Sequence, residues 1–279
     1  GNQTSGAGAA DYIEIGHRIE AQDIRNSGWN YLSSSSFITL SFYVKSSVAQ
    51  VFYGYIRTRD GTAYSYPFST GSLSADTWTK ITKTISGNSN LTFNNDNGTG
   101  LELVIAPFFG TNKTGSVSLN AWGTYNSSVR VPDMTSTWYT TNDATLEITG
   151  VQLEVGPEAT SFEHRSFGEE LSLCQRYFQN LKAGTAVGSG SNISIIVPLF
   201  CPMRTTPSLG KTSGDFNFGD MVSQGFQSSS SPTIDGGYLN QDLEVTGYIG
   251  GFSGPTNYRP YRHEPTASDG ALITANAEL

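Results

Sequence analysis

The chain has 279 residues, a formal net charge of −8, and 14% charged against 12% aromatic residues, with 31 glycines among long Ser-, Thr- and Asn-rich stretches. An acidic chain without a Lys/Arg run lacks the clustered basic face that nucleic acid requires, and no stretch approaches the roughly 20 apolar residues of a membrane helix. The composition favours short strands joined by Gly and Asn turns over helices, in one large β domain or two smaller ones. The first residues contain neither an initiating Met nor a signal peptide, which reads as a processed product or a fragment of a longer polypeptide.

Period-2 alternation dominates the first part. Ile38, Leu40, Phe42 and Val44 share one predicted strand face, Leu101, Leu103 and Ile105 a second, and Val117, Leu119 and Ala121 a third. Across Leu146 to Val155 the apolar parity shifts at Gly150, which predicts a β-bulge there. Turn clusters at Asp60-Gly61 and Asn94 to Gly98 punctuate these runs. The predicted helix starts at Ser166, where Ser166 and Glu169 form an S-x-x-E capping box. Leu171, Cys174, Phe178 and Leu181 then fall on one apolar helical face that must pack on something.

Gly184 to Ser191 reads as a linker. Beyond it, Ile193, Ile195, Val197 and Leu199 alternate, then Leu243 and Val245, then Ala271, Ile273 and Ala275, with Ser228 to Pro232 as an exposed loop. The fold class is therefore all-β: a sandwich over 1–165, a connecting helix over 166–182 and a smaller C-terminal β domain over 183–279. Cys174 and Cys201 are expected to remain free thiols, because a protein assembled in a reducing cytoplasm rarely holds disulfides.

The segment Ile148 to Gln179, reading ITGVQLEVGPEATSFEHRSFGEELSLCQRYFQ, resembles a signature of phage tail-fibre proteins of the marine-phage type. Phe37 to Ser46 and Ala271 to Leu279 resemble the same proteins. In them Gln152 to Gly156 corresponds to the last strand of a jelly roll similar to carbohydrate-binding modules, and Glu169 to Gln179 begins the exit helix. The resemblance implies a virion protein, a homotrimer, and contacts with host cell-surface glycan and with other virion proteins. It carries no catalytic residues, and since its members usually carry another strand or more before the Tyr12 to Arg18 segment, that strand is expected either to be lost or to come from another piece of the polypeptide. Related jelly rolls often hold a structural calcium; Asn94 to Gly98 looks like part of a calcium loop but has Phe93 where the first carboxylate belongs and lacks the closing Glu.

The residues themselves favour sugar recognition, in which aromatic faces stack on pyranose C–H faces and polar groups bond the hydroxyls. Phe252, Tyr258, Tyr261 and Arg262 sit among Gly and Pro as an expected exposed tip. Tyr53, Tyr55, Tyr64 and Tyr66 flank the turn from Arg57 to Gly61, and Trp122, Tyr125, Trp138 and Tyr139 lie in loop-rich sequence. Tyr258, Tyr261, Arg262, Phe252, Tyr64 and Trp122 are the glycan candidates, no cofactor being expected. The 148–179 block, with Phe162 and Phe167 as anchors, is expected to be committed to packing. Acidic pairs such as Asp11 with Glu14, or Glu20 with Asp23, are the candidates for a rival tailspike-like glycan hydrolase. None of the three histidines, His17, His164 and His263, stands in a triad spacing. A receptor-binding tail-fibre segment without enzymatic activity is thus the leading expectation, and a structural or decoration protein of the head or tail the second.

Overall fold

A computed structural model describes residues 6–182, 184–229, 233–240, 243–252, 254–263 and 272–278. Strand accounts for 45% of the structure and helix for 8%, so the chain is all-β. It divides into two compact units between His164 and Arg165.

The first unit contains β1 (Tyr12–Glu20), α1 (Ala21–Asn26), β2 (Phe37–Ser46), β3 (Val51–Thr58), β4 (Tyr64–Ser72), β5 (Thr79–Ser86), β6 (Thr99–Phe109), β7 (Gly123–Thr124), α2 (Thr137–Thr140) and β8 (Leu146–Val155). Its strands form a five-stranded sheet in the order β1-β6-β3-β4-β7 and a three-stranded sheet in the order β5-β2-β8. The ladders are antiparallel. Alternation explains how they pack: Ile38, Leu40, Phe42 and Val44 of β2 join Phe52, Ile56, Phe68, Leu101, Leu103 and Ile105 of the larger sheet in one buried core. Two antiparallel sheets facing each other across an apolar layer make a β-sandwich. On the edge strand β5, Lys83 lies between the buried Ile81 and Ile85 on the inward face and pairs with Leu40. Burial pushes its ammonium pKa down. An inward lysine on an edge is a known guard against pairing with another chain.

The third expected strand is absent: residues 117–121 are irregular, Asn120 takes a φ of 57°, and the nearby pairing is a single Thr114–Val131 bridge. Alternation alone cannot make a strand where no neighbour supplies a ladder. The Asn94 to Gly98 loop is a latch. Asn94 donates from its backbone N and Nδ2 to Asp60, and Asp96 and Gly98 accept from Gln22 N and Ala21 N.

The second unit contains α3 (Phe167–Gln175), β9 (Phe178–Leu181), β10 (Thr185–Ser189), β11 (Asn192–Pro198), β12 (Ser208–Lys211), β13 (Phe216–Asp220), β14 (Phe226–Ser229), β15 (Ile234–Asn240), β16 (Glu244–Ile249), β17 (Pro260–His263) and β18 (Ile273–Asn276). A seven-stranded sheet runs β14-β13-β17-β10-β11-β16-β15, and a three-stranded sheet runs β12-β18-β9. Their shared core includes Ile193, Ile195, Val197, Phe216, Phe218, Val245, Tyr261, Ile273 and Ala275.

The capping box at Ser166 and Glu169 forms in both directions. The expected helix to 182 does not. It ends at Gln175, and Phe178–Leu181 pairs with β18 instead. A polar residue at the buried parity hid this strand: Gln179 is 2% exposed. Its Nε2 donates to Gln175 O and Cys201 O, and its Oε1 accepts from Phe200 N, so the buried amide is satisfied. The expected linker at Gly184 to Ser191 is also corrected. β10 and β11 pair from Ala186–Ile195 to Ser189–Asn192 around a two-residue Gly190-Ser191 turn. Gly190 has a φ of +63°, the conformation that a type II′ hairpin needs at its first central position. Of the Ser228 to Pro232 loop, Ser228 and Ser229 belong to β14, with Ser229 buried, and residues 230–232 lie outside the described residues, as does Ala271. Leu243 is exposed and only Val245 of that pair is buried. Cys174 and Cys201 are both free thiols.

Candidate functional site

Because Leu40 and Phe42 point into the sandwich, Thr39, Ser41 and Tyr43 point out of the three-stranded sheet. Beside them β8 carries the bulge at Gly150. Ser41 pairs with Gln152 and Tyr43 with Thr149, so Gly150 and Val151 together face one residue, with Gly150 at a φ of +60°. After β8 the chain folds back over this face. Thr39 Oγ1 donates to Gly156 O at 2.7 Å and Thr84 Oγ1 to Pro157 O at 3.0 Å.

A carboxylate and an amide then fix the returning segment. Glu154 accepts from Gln152 Nε2 at 3.0 Å, from Thr160 N at 2.9 Å and from Thr160 Oγ1 at 2.7 Å, while Gln152 Oε1 accepts from Glu163 N at 2.9 Å. The amide of Gln152, then the Thr160 hydroxyl, hold the Glu154 carboxyl below its ordinary pKa. The result is a groove of about 310 Å³ lined by Ser41, Tyr43, Lys80, Gly150 and residues 159–162. That is the lower end of the size range of small-molecule clefts. Tyr43 is 41% and Phe162 43% exposed. A β-carbon on Gly150 would lie 3.5 Å from Tyr43 Cδ2 and 3.8 Å from Phe162 Cδ2, so the two rings bracket the glycine. Two aromatic residues, Tyr43 and Phe162, one lysine and the hydroxyl-bearing Ser41, Thr160 and Ser161 thus line one cleft.

The sequence predicts that the 148–179 block is committed to packing, whereas the structure uses part of it to build the groove. Phe162 and the 82%-exposed Phe167 are not buried anchors. The usable signal was the parity shift at Gly150, since bulges re-aim side chains and gather next to binding sites.

The six glycan candidates separate. Tyr261 is 1% and Phe252 5% exposed, both in the core of the second unit, which corrects the expected exposed tip. Period-2 alternation within β17 turns Tyr261 inward and Arg262 outward. The Tyr261 hydroxyl accepts from Thr256 N at 2.9 Å and so supports the adjoining loop from below. Tyr258 tops that loop, 91% exposed, with a φ of 62°. Asn257 Oδ1 accepts from Gly190 N, and Arg259 Nη1 donates to Asp220 Oδ2 at 2.8 Å. Tyr64 and Trp122 pack against the sandwich core. The indole Nε1 of Trp122 donates to Ser86 O at 2.7 Å and its ring meets Tyr66 edge-on at 5.5 Å. Trp138 and Tyr139 are also tied down: Trp138 Nε1 donates to Thr145 O, and Tyr139 stacks on Phe108 at 4.3 Å while its hydroxyl donates to Asp11.

The acidic pairs are engaged in contacts of their own. Glu14 pairs with Arg130 at 3.1 Å, and the buried Glu20 accepts from Gln22 Nε2 at 2.6 Å. Among the described residues no group of three or more His, Cys, Asp or Glu side chains gathers as a metal site.

Comparison with protein-family models, with curated proteins and with solved structures finds no match to this chain.

Proposed function

We propose that this chain is a receptor-binding segment of a phage tail fibre that holds host cell-surface glycan without cleaving it, on a jelly-roll sandwich. The observation that carries the reading is the groove above Gly150. Tyr43 and Phe162 line it beside Gly150, and Ser41, Thr160, Ser161 and Lys80 carry hydrogen-bonding groups along it. This is the pairing of apolar faces with a few polar groups that sugar rings require. The resemblance of Ile148 to Gln179 to tail-fibre proteins supports the virion assignment, and Tyr258 offers a second exposed ring.

A homotrimer with contacts to other virion proteins belongs to the same proposal. None of the residues of α3 is buried, although Leu171 and Leu173 are apolar. On the seven-stranded sheet the outward positions Val187, Ile196, Phe226 and Tyr248 are between 43% and 65% exposed. Neighbouring copies would cover such surfaces.

Glycan-array binding with the native mass tests the reading. Tyr43→Ala and Phe162→Ala should each weaken glycan binding about tenfold, since one stacked ring contributes about 1–1.5 kcal/mol. Shortening of purified host glycan by the chain would instead favour a hydrolase. A monomer that binds no glycan would leave only a structural role.

A further inference from the structure

On the opposite side of the sandwich, the outward face of the five-stranded sheet gathers three guanidinium groups on one carboxylate. Register puts Arg18 of β1 and Arg57 of β3 on either side of Glu102 of β6. Glu102 stands 3.4 Å from Arg18, 3.7 Å from Arg57 and 3.5 Å from Arg59. Three of the chain's 16 Lys and Arg residues therefore converge within reach of one carboxylate, in a protein of net charge −8. The Glu102 side chain is only 13% exposed, whereas those of Arg18, Arg57 and Arg59 are 43%, 21% and 34% exposed.

Arg57 is preorganised and under-satisfied. Its guanidinium lies over the Tyr125 ring, 3.7 Å from the centroid, and Tyr125 is held by its backbone N donating to Ala63 O at 2.8 Å. Its Nε is shielded from solvent and makes no hydrogen bond. Its nearest carboxylate oxygen, at 3.7 Å, is beyond hydrogen-bond distance. With its Nε closed to solvent, Arg57 can meet a ligand only through its terminal nitrogens, and stacked arginines are the usual receptors for planar or tetrahedral oxyanions.

We infer that Arg57 and Arg59, backed by Arg18, form a second subsite that takes a sugar-borne oxyanion, the carboxylate of a uronic acid or a sulfate ester. The inference rests on the glycan-binding reading and assigns that reading an acidic ligand. The site answers an electrostatic need: a chain of net charge −8 repels acidic polysaccharide and must counter that repulsion locally.

Calorimetry on the full chain at low salt would use four probes: trigalacturonate, a sulfated trisaccharide, an uncharged trisaccharide and inorganic phosphate. The wild type should bind at least one acidic trisaccharide about tenfold more tightly than the uncharged one, as two charge-assisted hydrogen bonds warrant. Arg57→Gln and the more exposed Arg59→Gln should each remove most of that preference; Tyr43→Ala should leave it unchanged. Loss in both acidic arms or in one tells which oxyanion is taken. Equal binding of acidic and uncharged sugars, insensitive to the arginine changes, would overturn the subsite and leave the glycan reading standing. Phosphate binding lost in Arg59→Gln, with no sugar bound, would keep the anion site and remove the glycan reading. Silence from all four probes would remove both.

Discussion

Replacing Gly150 by Ala separates the backbone demand of the groove from its chemistry. At a φ of +60° an added β-carbon has only ordinary van der Waals neighbours, Tyr43 Cδ2 at 3.5 Å and Phe162 Cδ2 at 3.8 Å. Steric overlap therefore adds little, and the cost is that of placing an L-residue in the left-handed region, about 1–2 kcal/mol. For a unit of this size each kcal/mol lowers the melting temperature by roughly 2–4 °C. Gly150→Ala should thus melt about 2–8 °C lower in differential scanning calorimetry. Gly150→Asn should recover much of that loss, because Asn tolerates the left-handed conformation. Both side chains enter the floor between the two rings, so both should weaken glycan binding. Equal melting losses for Ala and Asn, or none for either, would refute the bulge geometry on which the groove depends.

In the second unit, Tyr261→Ala should cost about 3–5 kcal/mol as a large-to-small core change, while Tyr258→Ala should shift stability by less than about 0.5 kcal/mol; urea unfolding distinguishes them, and similar midpoints would contradict the burial. Tyr261→Phe should keep the packing but release Thr256 N, seen as faster amide exchange in residues 254–259. Asp220 has its carboxyl held well below the usual range, first by the Arg259 guanidinium and then by the amides of Val222 and Ser223. Its contribution is complete above the unfolded Asp pKa of about 3.9 and is lost as pH falls toward the folded value. Arg259→Gln should therefore flatten the loss of stability below about pH 4, which an acid titration followed by circular dichroism would read. Ser166→Ala should speed exchange of the Glu169 amide by removing its capping acceptor.

Much of the fold was legible in the chain. The alternation of Ile38 to Val44 and of Ile193 to Leu199 determined those strands, because a period of two puts every second side chain on one face whatever lies opposite. The capping box at Ser166 was equally local, requiring only two side chains three residues apart. So was the bulge at Gly150, since a change of parity needs an extra residue. What failed locally depended on partners. Val117 to Ala121 alternates but has no ladder to join; Phe178–Leu181 looks helical but is claimed by β18. Tyr261 and Phe252 sit in Gly- and Pro-rich sequence like an exposed tip, yet strand pairing and packing turn them into the core. The groove and the arginine cluster were hidden for the same reason. Tyr43 and Phe162 are 119 positions apart, and Arg18 and Glu102 are 84 apart; only sheet order and register bring such residues together, because cross-strand neighbours are set by pairing and not by distance along the chain.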